Sequence, residues 1–327
     1  MRERAMSAKN LTDSFGRVMD YLRLAITDRC NLRCVYCMPE EEGGDPVSVL
    51  SLPRIERVLK VMGSLGVKKV KITGGEPLVH PEAAEVVRLA KKAPNVGNVT
   101  LTTNGLRLAR MAKELAEAGL DAVNVSLDTL DPARFLSITR RDYLHRVLTG
   151  LDQALSLGSL AVKVNCVPTA DSPIPDLLAL ANLAKSHDLH VRFIELMPIG
   201  LGKGQTGLDP AVLMAALAEA VGPLRPVSRQ FGNGPAAYYA LPGFIGKIGF
   251  ISAVKSCFCE RCNRVRVTAD GYFKTCLHMD RGLPLPLDDE AAMAEVVVAA
   301  VRDKPAGHLF AQDDGLGEER PMSRIGG

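Results

Sequence analysis

The sequence lacks a long apolar run, a recognisable secretory signal and an excess of charge of either sign. The longest apolar run near the C-terminus, residues 291–301, is broken by Glu295 and is too short to span a bilayer. No signal peptide is recognisable before Tyr21. Lys and Arg number 40 against 37 Asp and Glu, and this near balance holds on both sides of residue 222. We therefore expect a globular, cytoplasmic protein that has neither a membrane nor nucleic acid as a partner.

The cysteines point to metal chemistry. Without a secretory signal the eight cysteines are expected in a reducing compartment, where clustered thiols are more often metal ligands than disulfides. Cys30, Cys34 and Cys37 have the spacing C-x3-C-x2-C directly after an apolar run. Three thiolates can hold three irons of a 4Fe-4S cluster and leave the fourth iron open to a small molecule. The alternatives are a zinc site that lacks one ligand, or buried structural thiols.

The fold is indicated by a repeated alternation of strands and helices. Strands are predicted at residues 21–26, 69–73, 99–102, 122–127, 161–167 and 190–196. Helical patterns occur between them at residues 53–65, 80–92, 106–118, 131–157 and 175–187. This alternation predicts an α/β fold built from βαβ units around a parallel sheet. A partial barrel of six units and a doubly wound open sheet both fit it, and we expect the chemistry in the loops after the strands.

The alternation stops after Gly200. Residues 209–221 still have a helical pattern, but residues 222–327 are rich in Pro and Gly and contain a second group of cysteines. We therefore predict a barrel domain at residues 1–221 and a smaller lid domain at residues 222–327 that covers the open side of the barrel.

A glycine-rich loop follows the second predicted strand. It reads Gly74-Gly75-Glu76-Pro77. Because glycine has no side chain, such a loop lets the backbone come close to a ligand. Alone, the pair of glycines is more typical of an ordinary turn between a strand and a helix. Its position one βα unit after the cysteine loop favours a shared site.

Charged side chains occur inside the predicted strands. Lys69 and Lys71 share one face of their strand, and Lys163 alternates with valines in another. Lysine is almost never fully buried without a partner. Together with Arg23 and Arg192, these residues are expected to line a wet or anionic cavity. The alternative is that they lie at frayed strand ends in solvent.

A second cysteine group lies in the predicted lid. Cys259, Cys262 and Cys276 have the spacing C-x2-C-x13-C and can supply another set of three thiolates. Arg264 and Arg266 lie two residues apart on an apparent strand, so they share one face beside these thiols. A zinc ribbon with four ligands is the alternative. Further potential ligands nearby are Cys257 and His278.

These motifs together resemble those of the radical S-adenosylmethionine (SAM) enzymes, and among them the GTP 3′,8-cyclase family of molybdenum cofactor biosynthesis. The first cysteine motif and the glycine loop indicate the superfamily, whereas the second cysteine group and the terminal Gly326-Gly327 indicate the cyclases. Matching segments are residues 15–17, 22–24, 27–31, 36–39, 72–78, 101–105, 124–128, 162–165, 192–195, 249–252, 258–270 and 325–327. The resemblance implies a partial (β/α)6 barrel of the TIM type, and favours it over the doubly wound sheet.

The resemblance also implies roles for individual residues. It implies that Cys30, Cys34 and Cys37 bind the cluster that cleaves SAM, and that Cys259, Cys262 and Cys276 bind a second 4Fe-4S cluster whose open iron meets the guanine. It implies SAM contacts by Tyr36, Gly75, Ser126 and Met197. It implies GTP contacts by Arg23, Lys71, Thr102, Lys163, Arg264 and Arg266, with Lys69 and Arg192 lining the same cavity and Gly326 and Gly327 completing it.

The implied reaction leaves the hard chemistry to the cofactors. SAM cleavage gives a radical that removes the 3′ hydrogen of GTP, and the ribose C3′ joins the guanine C8. The protein is expected to bind, orient and exclude water. An external electron donor and a homodimer are also implied. Lys71 stands where many relatives have Arg, so a point charge replaces a bidentate fork there.

Overall fold

The computed structural model describes residues 10–40, 47–279, 282–308 and 318–326. Its strands are β1 (Tyr21–Ala25), β2 (Lys69–Thr73), β3 (Asn98–Thr103), β4 (Ala122–Ser126), β5 (Ala161–Cys166), β6 (Leu189–Ile194), β7 (Arg225–Val227), β8 (Ala237–Ala240), β9 (Lys247–Ile251), β10 (Arg264–Val267), β11 (Tyr272–Lys274) and β12 (Leu283–Pro284). Its helices are α1 (Leu52–Ser64), α2 (Ala83–Lys92), α3 (Leu108–Glu117), α4 (Pro132–Thr139), α5 (Leu144–Ser156), α6 (Ile174–Ala181), α7 (Leu183–Ser186), α8 (Pro210–Ala220), α9 (Glu290–Arg302) and α10 (Met322–Ile325).

The strands form one sheet with the order β12-β11-β10-β1-β2-β3-β4-β5-β6-β9-β8-β7. All neighbouring pairs from β10 to β9 are parallel, and the pairs beyond them on either side are antiparallel. From β1 to β6 the neighbours follow the order of the chain. A doubly wound sheet would reverse its order at a switch point. The predicted partial barrel is therefore confirmed.

The C-terminal part of the chain adds strands to both sides of the barrel. β9 pairs with β6, and β10 pairs with β1, both in parallel. The residues that the sequence assigns to a lid thus continue the barrel sheet at both edges. A domain boundary between residues 221 and 222 stays a prediction.

Each barrel strand separates an apolar outer layer from a polar interior. In β1, Leu22 and Leu24 are buried and alternate with Arg23. In β5, the buried Val162 and Val164 alternate with Lys163. The helices pack on the apolar side, so the charged side chains share the inner face. In the described ranges, no helix combines the length and the apolar character needed to cross a membrane.

One predicted helix was wrong in its continuity and one in its start. The helical segment predicted at residues 131–157 consists of α4 and α5, because Arg140 takes a left-handed backbone conformation, with φ of 57°, and ends α4. The helix predicted at residues 175–187 is divided into α6 and α7 at Asn182. The helix predicted from residue 80 begins at Ala83, since Pro77–Val79 form a 3-10 turn. These breaks leave the strand order unchanged.

Candidate functional site

The cysteine loop follows β1 at the carboxyl end of the parallel strands, and the glycine loop follows the neighbouring β2. Gly75 donates its N–H to the Thr27 carbonyl at 2.8 Å. A Cβ at Gly74 would lie 2.2 Å from the Thr27 carbonyl oxygen, and one at Gly75 would lie 2.4 Å from that of Asp28. Any larger residue would therefore force the two loops apart. The glycines allow the two backbones to pack directly on each other.

The buried carboxylate of Glu76 organises the loops around the first cysteine. It accepts hydrogen bonds from Thr103 Oγ1 at 2.7 Å, the Asn104 N–H at 2.6 Å and the Leu78 N–H at 2.9 Å. Burial raises the pKa of Glu76 to about 7, although these donors lower it. The Asn104 side-chain amide donates in turn to Cys30 Sγ at 3.9 Å. Glu76 thus fixes the residue whose amide faces the Cys30 sulfur.

Tyr36 and Asp128 join the cysteine loop to the carboxyl end of β4. The Tyr36 hydroxyl donates to Asp128 Oδ2 at 2.7 Å, and Asp128 Oδ1 accepts the Val167 N–H at 2.8 Å. Burial raises the pKa of Asp128, although both donors lower it. Tyr36, Asp128, Cys34 and Ser126 line one cavity. Of the predicted SAM contacts, Tyr36 therefore lies in the cysteine loop and Ser126 lies beside it.

The three thiols of the loop interact with one another. Burial, followed by the charge of Cys37, raises the pKa of Cys34. Burial, followed by the charge of Cys30, raises the pKa of Cys37 to about 12. The Ser323 N–H from the C-terminal segment donates to Cys37. Buried thiols that repel one another as anions become thiolates when a metal binds them. The set therefore fits a cluster held by three thiolates.

The other two predicted SAM contacts have different positions. Gly75 lies in the glycine loop, against the cysteine loop. Met197 lies in the loop after β6, where its carbonyl accepts the Ile199 N–H at 2.8 Å. The described contacts of Met197 are made within its own loop, so its part in SAM binding stays a prediction.

A row of cations crosses the inner face of the sheet. Arg266, Arg23 and Lys71 are register partners on β10, β1 and β2. The exposed fractions of Lys71 and Arg266 are only 6% and 7%. Burial, followed by the nearby charges of Arg192 and Arg23, lowers the pKa of Lys71. Because these buried cations repel one another, an anion with several charges would stabilise all of them.

Lys69, Lys163 and Arg192 extend this row across β2, β5 and β6. They line one pocket together with Lys71 and Asn124. Arg192 Nη2 donates to Asn124 Oδ1 at 2.5 Å. Burial, followed by the charge of Arg192, lowers the pKa of Lys69 to about 8 and that of Lys163 to about 7. The cavity lined by cations that the strand pattern predicts is therefore present. Thr102, a predicted GTP contact, is the register partner of Asn124 and lies on the inner face of the sheet.

The second cysteine group lies at the opposite end of the parallel strands. Cys262 precedes β10, whereas Cys30 follows β1, and the two strands run parallel. β11 runs antiparallel to β10 and so returns Cys276 towards Cys262. Burial raises the pKa of Cys262, but Arg264 and Lys304 outweigh burial and lower it to about 7. Cations beside a thiol favour the thiolate form that binds metals, so this set also fits a cluster.

Two further cations fix the backbone around the second cysteine group. The Arg17 guanidinium donates to the carbonyl of Cys259 at 2.7 Å. The Lys304 ammonium donates to the carbonyl of Thr275, the residue before Cys276. These hydrogen bonds fix the backbone at Cys259 and next to Cys276.

Additional donor atoms lie close to Cys259. One ligand atom each of Cys257, Cys259 and His308 lies within 4.8 Å of the others. Cys257 is exposed. His278, the other extra ligand candidate from the sequence, uses its backbone carbonyl to accept the Glu318 N–H at 3.1 Å. The structure therefore adds His308 to the potential ligands.

The C-terminal segment reaches the interior beside the carboxyl ends of β1 and β2. The Gly326 carbonyl accepts a hydrogen bond from the Arg266 guanidinium. Gly326 has φ of 73°, and a Cβ there would lie 3.0 Å from Ala25 Cβ and 3.1 Å from Thr73 Cγ2. Glycine is required by both the backbone conformation and the close packing. Gly327 lies outside the described residues.

Several site residues were missed in the sequence reasoning. Glu76, Asn104 and Asp128 each follow a barrel strand, and polar residues at such positions were the available signal. Arg17 lies in the matching segment 15–17 but was given no role, and Lys304 gave no local signal, because each contacts a cysteine loop that is distant in sequence.

The interior therefore has two sets of thiols, one at each end of the strands, with a cationic cavity between them. Such an arrangement can hold two iron-sulfur clusters and place an anionic substrate within reach of both.

Comparisons with known proteins show the family to which the chain belongs. Residues 24–184 match the family described as the Radical SAM superfamily, and residues 189–310 match the family described as Molybdenum Cofactor Synthesis C. The chain is 41% identical over 326 residues to the GTP 3′,8-cyclase of Clostridium perfringens strain SM101, with 97% of this chain and 100% of the relative covered. It is 42% identical over 327 residues to the GTP 3′,8-cyclase of Pelotomaculum thermopropionicum, with the same shares covered.

Solved structures share the fold. The structure of Streptococcus suis SuiB bound to S-adenosylmethionine matches with a TM-score of 0.58 at 16% sequence identity. The match covers 80% of this chain and 61% of SuiB. At this level of identity the likeness shows the fold alone.

Proposed function

The chain belongs to the GTP 3′,8-cyclase family of radical SAM enzymes, and on that premise we propose how its residues hold the reactants. The enzyme carries out the first step of molybdenum cofactor biosynthesis, the conversion of GTP to 3′,8-cyclo-7,8-dihydro-GTP. A 4Fe-4S cluster and SAM, when bound, supply the one-electron chemistry that removes the hydrogen from the ribose C3′. The residues described above bind and orient the two reactants.

The observation that carries this assignment is the placement of the cationic row between the two thiol sets. Cys30 lies beyond the carboxyl end of β1, and Cys262 lies before the amino end of the parallel β10. Arg23 and Arg266 are register partners between these ends. A triphosphate supplies the negative charge that such buried cations require. An uncharged extended peptide would leave the charges of these cations unbalanced, so the interior favours a nucleotide.

SAM is proposed to bind at the carboxyl end of the strands. Cys30, Cys34 and Cys37 would hold the first cluster. Tyr36, Gly75, Ser126 and Met197 would contact SAM. Asp128 would hold the Tyr36 hydroxyl in place. Glu76 would hold Asn104 so that its side-chain amide faces the sulfur of Cys30. These hydrogen bonds fix the loops before SAM arrives, which lowers the entropy that binding must overcome.

GTP is proposed to bind deeper in the interior. Arg23, Lys69, Lys71, Thr102, Lys163, Arg192, Arg264 and Arg266 would contact it. Cys259, Cys262 and Cys276 would hold a second 4Fe-4S cluster, and three thiolates would leave one of its irons free to bind the guanine. The C-terminal Gly326 would close the cavity beside Arg266 and exclude water from the reaction, and Gly327 would follow it.

Other partners are proposed from the family resemblance. We propose that the enzyme is a cytoplasmic homodimer and that an external donor supplies the electrons. The near balance of charge in the sequence supports the absence of nucleic acid among its partners.

The test uses GTP labelled with deuterium at the ribose C3′. Anaerobic incubation of the reconstituted enzyme with labelled GTP, SAM and a reductant should move deuterium into 5′-deoxyadenosine. One hydrogen leaves C3′ while an electron and a proton return to the product, so unlabelled product has the mass of GTP and is recognised by its chromatographic retention. GTP labelled at C2′ is the control and should transfer no deuterium. SAM cleavage without transfer from C3′ would refute the assignment.

A further inference from the structure

The pocket that contains Lys69 and Lys163 is closed by a loop between β7 and β8. We name Phe231–Gly234 the floor loop, because all four of its residues line this pocket. Its sequence is Phe-Gly-Asn-Gly. The loop lies on the side of the amino ends of the strands, opposite the first cysteine group.

Side chains anchor the floor loop at two points. The Phe231 ring packs edge to face against the rings of His190 at 4.4 Å and Tyr238 at 5.0 Å between centroids. The Asn233 amide donates to Asp20 Oδ1 at 3.0 Å, and its oxygen accepts from Asn263 Nδ2 at 2.9 Å. Asp20 and Asn263 immediately precede β1 and β10. The loop is thereby fixed to the ends of the strands that carry the cations.

The backbone of the floor loop touches the two lysines. The Phe231 carbonyl accepts a hydrogen bond from the Lys163 ammonium. Gly232 has φ of 128°, and a Cβ there would lie 3.4 Å from Lys163 Nζ and 3.6 Å from Lys69 Nζ. An alanine at Gly232 would be strained in this conformation and would place a methyl group against both ammonium groups.

These contacts place the two ammonium groups at the far end of the interior. Lys69 begins β2, and the first cysteine group lies beyond the other end of this five-residue strand. At about 3.3 Å per residue, the length of the strand separates them by about 13 Å. A nucleotide whose ribose faces the first cysteine group therefore reaches Lys69 only with the distal part of its phosphate chain.

We propose that the floor loop sets the phosphate chain length that the enzyme prefers, by holding Lys69 and Lys163 where the terminal phosphate of the nucleotide binds. This rests on the proposed function and adds a specificity element to it. GTP would displace the Phe231 carbonyl from Lys163 and use both lysines, whereas GMP would leave the carbonyl in place.

The test compares the affinities of GTP, GDP and GMP for the anaerobically reconstituted enzyme by calorimetry. Gly232→Ala should weaken GTP binding by about tenfold and GMP binding by less than about twofold. Only the longer phosphate chain reaches the two lysines beside the substituted glycine. Gly97→Ala is the matched control, since a Cβ at Gly97 meets no atom within 4 Å. It should leave all three affinities unchanged. SAM affinity reports whether each variant is folded.

A second variant keeps the test decisive if Gly232→Ala loses SAM binding. Asn233→Ala removes the anchor to Asp20 and Asn263 and leaves Gly232 in place. Like Gly232→Ala, it should reduce the ratio of the GTP affinity to the GMP affinity. The proposal would be overturned if the affinities of all three nucleotides fell equally, or if the variant that still binds SAM kept its full GTP affinity. Failure of the wild-type enzyme to bind GTP while it binds SAM would instead refute the proposed function.

Discussion

Lys274 on β11 and Glu318 in the C-terminal segment form an ion pair whose side chains are only 0% and 1% exposed. Glu318 also accepts a hydrogen bond from Arg320 Nε at 3.0 Å. The pair joins the strand that precedes Cys276 to the segment that ends beside Arg266. It therefore connects the second cysteine group to the C-terminal glycine in the cavity.

Lys274→Met should destabilise the protein by about 3 kcal/mol, because it leaves a buried carboxylate without its closest cation. The C-terminal segment should also lose its fixed position, so the yield of cyclised product should fall while SAM still binds. Denaturant unfolding and chromatographic product analysis measure the two effects.

The matched control for this change is Lys203→Met. Lys203 faces Glu319, the neighbour of Glu318, at 3.9 Å, but both side chains are largely exposed. An exposed pair contributes little, so the loss should be below about 1 kcal/mol. The double variant Lys274→Met with Glu318→Gln should recover part of the stability. Equal losses of stability in Lys203→Met and Lys274→Met would contradict a stabilising role for the buried ion pair.

Cys34→Ser should abolish SAM cleavage and keep about half of the iron, because the two proposed clusters would have separate sets of thiolates. Cys262→Ser should also keep about half of the iron but should spare SAM cleavage. Iron and sulfide analysis after anaerobic reconstitution checks both variants. Cys166→Ala is the control, since Cys166 is fully buried in β5 and belongs to neither proposed set of ligands. Loss of all iron in Cys34→Ser would show that the two sites are not independent.

GTP affinity should fall as the pH rises above about 7. Burial and the charge of Arg192 lower the pKa of Lys163 to about 7 and that of Lys69 to about 8 in the ligand-free protein. A bound triphosphate stabilises the protonated lysines and raises both values, so binding takes up protons in the range between the free and the bound pKa. Affinity is then full below the free pKa and decreases by up to about tenfold per pH unit for each lysine above it.

Calorimetry in buffers of different ionisation enthalpy measures this proton uptake. Lys163→Arg is the control for the pH effect, because arginine keeps its charge throughout the range. It should bind GTP with a flatter pH profile than the wild-type enzyme. A wild-type affinity that stays constant from about pH 6 to about pH 9, without proton uptake, would contradict the origin proposed for the effect.

Cys257→Ala should keep the iron and sulfide content of the wild-type enzyme and most of its cyclase activity. Its sulfur lies within 4.8 Å of ligand atoms of Cys259 and His308, so proximity alone would allow it to bind metal. A fourth thiolate would, however, close the open iron to which we propose that the guanine binds. Cys259→Ala is the comparison and should lose the second cluster. If Cys257→Ala also loses this cluster, guanine must be held by side chains alone.

Much of the fold was predictable because local sequence patterns indicate where strands, helices and turns occur. The alternation in β1 and β5 predicted strands whose charged side chains share one face, and the turn residues between elements separated the βα units. The divided helices were less predictable. Arg140 ends α4 in a left-handed conformation that glycine usually takes, so its sequence carries no clear stop signal.

Within the site, the sequence alone determined which atoms are available: two sets of three thiols, a loop of glycines and cations on strand faces. The tertiary structure decided which of them meet. The parallel pairing of β10 with β1 makes Arg266 a register partner of Arg23, although 243 residues separate them in the chain. The same pairing places the two thiol sets at opposite ends of the interior. Backbone hydrogen bonds between distant strands fix this register, and neither their partner nor their alignment is encoded in local periodicity.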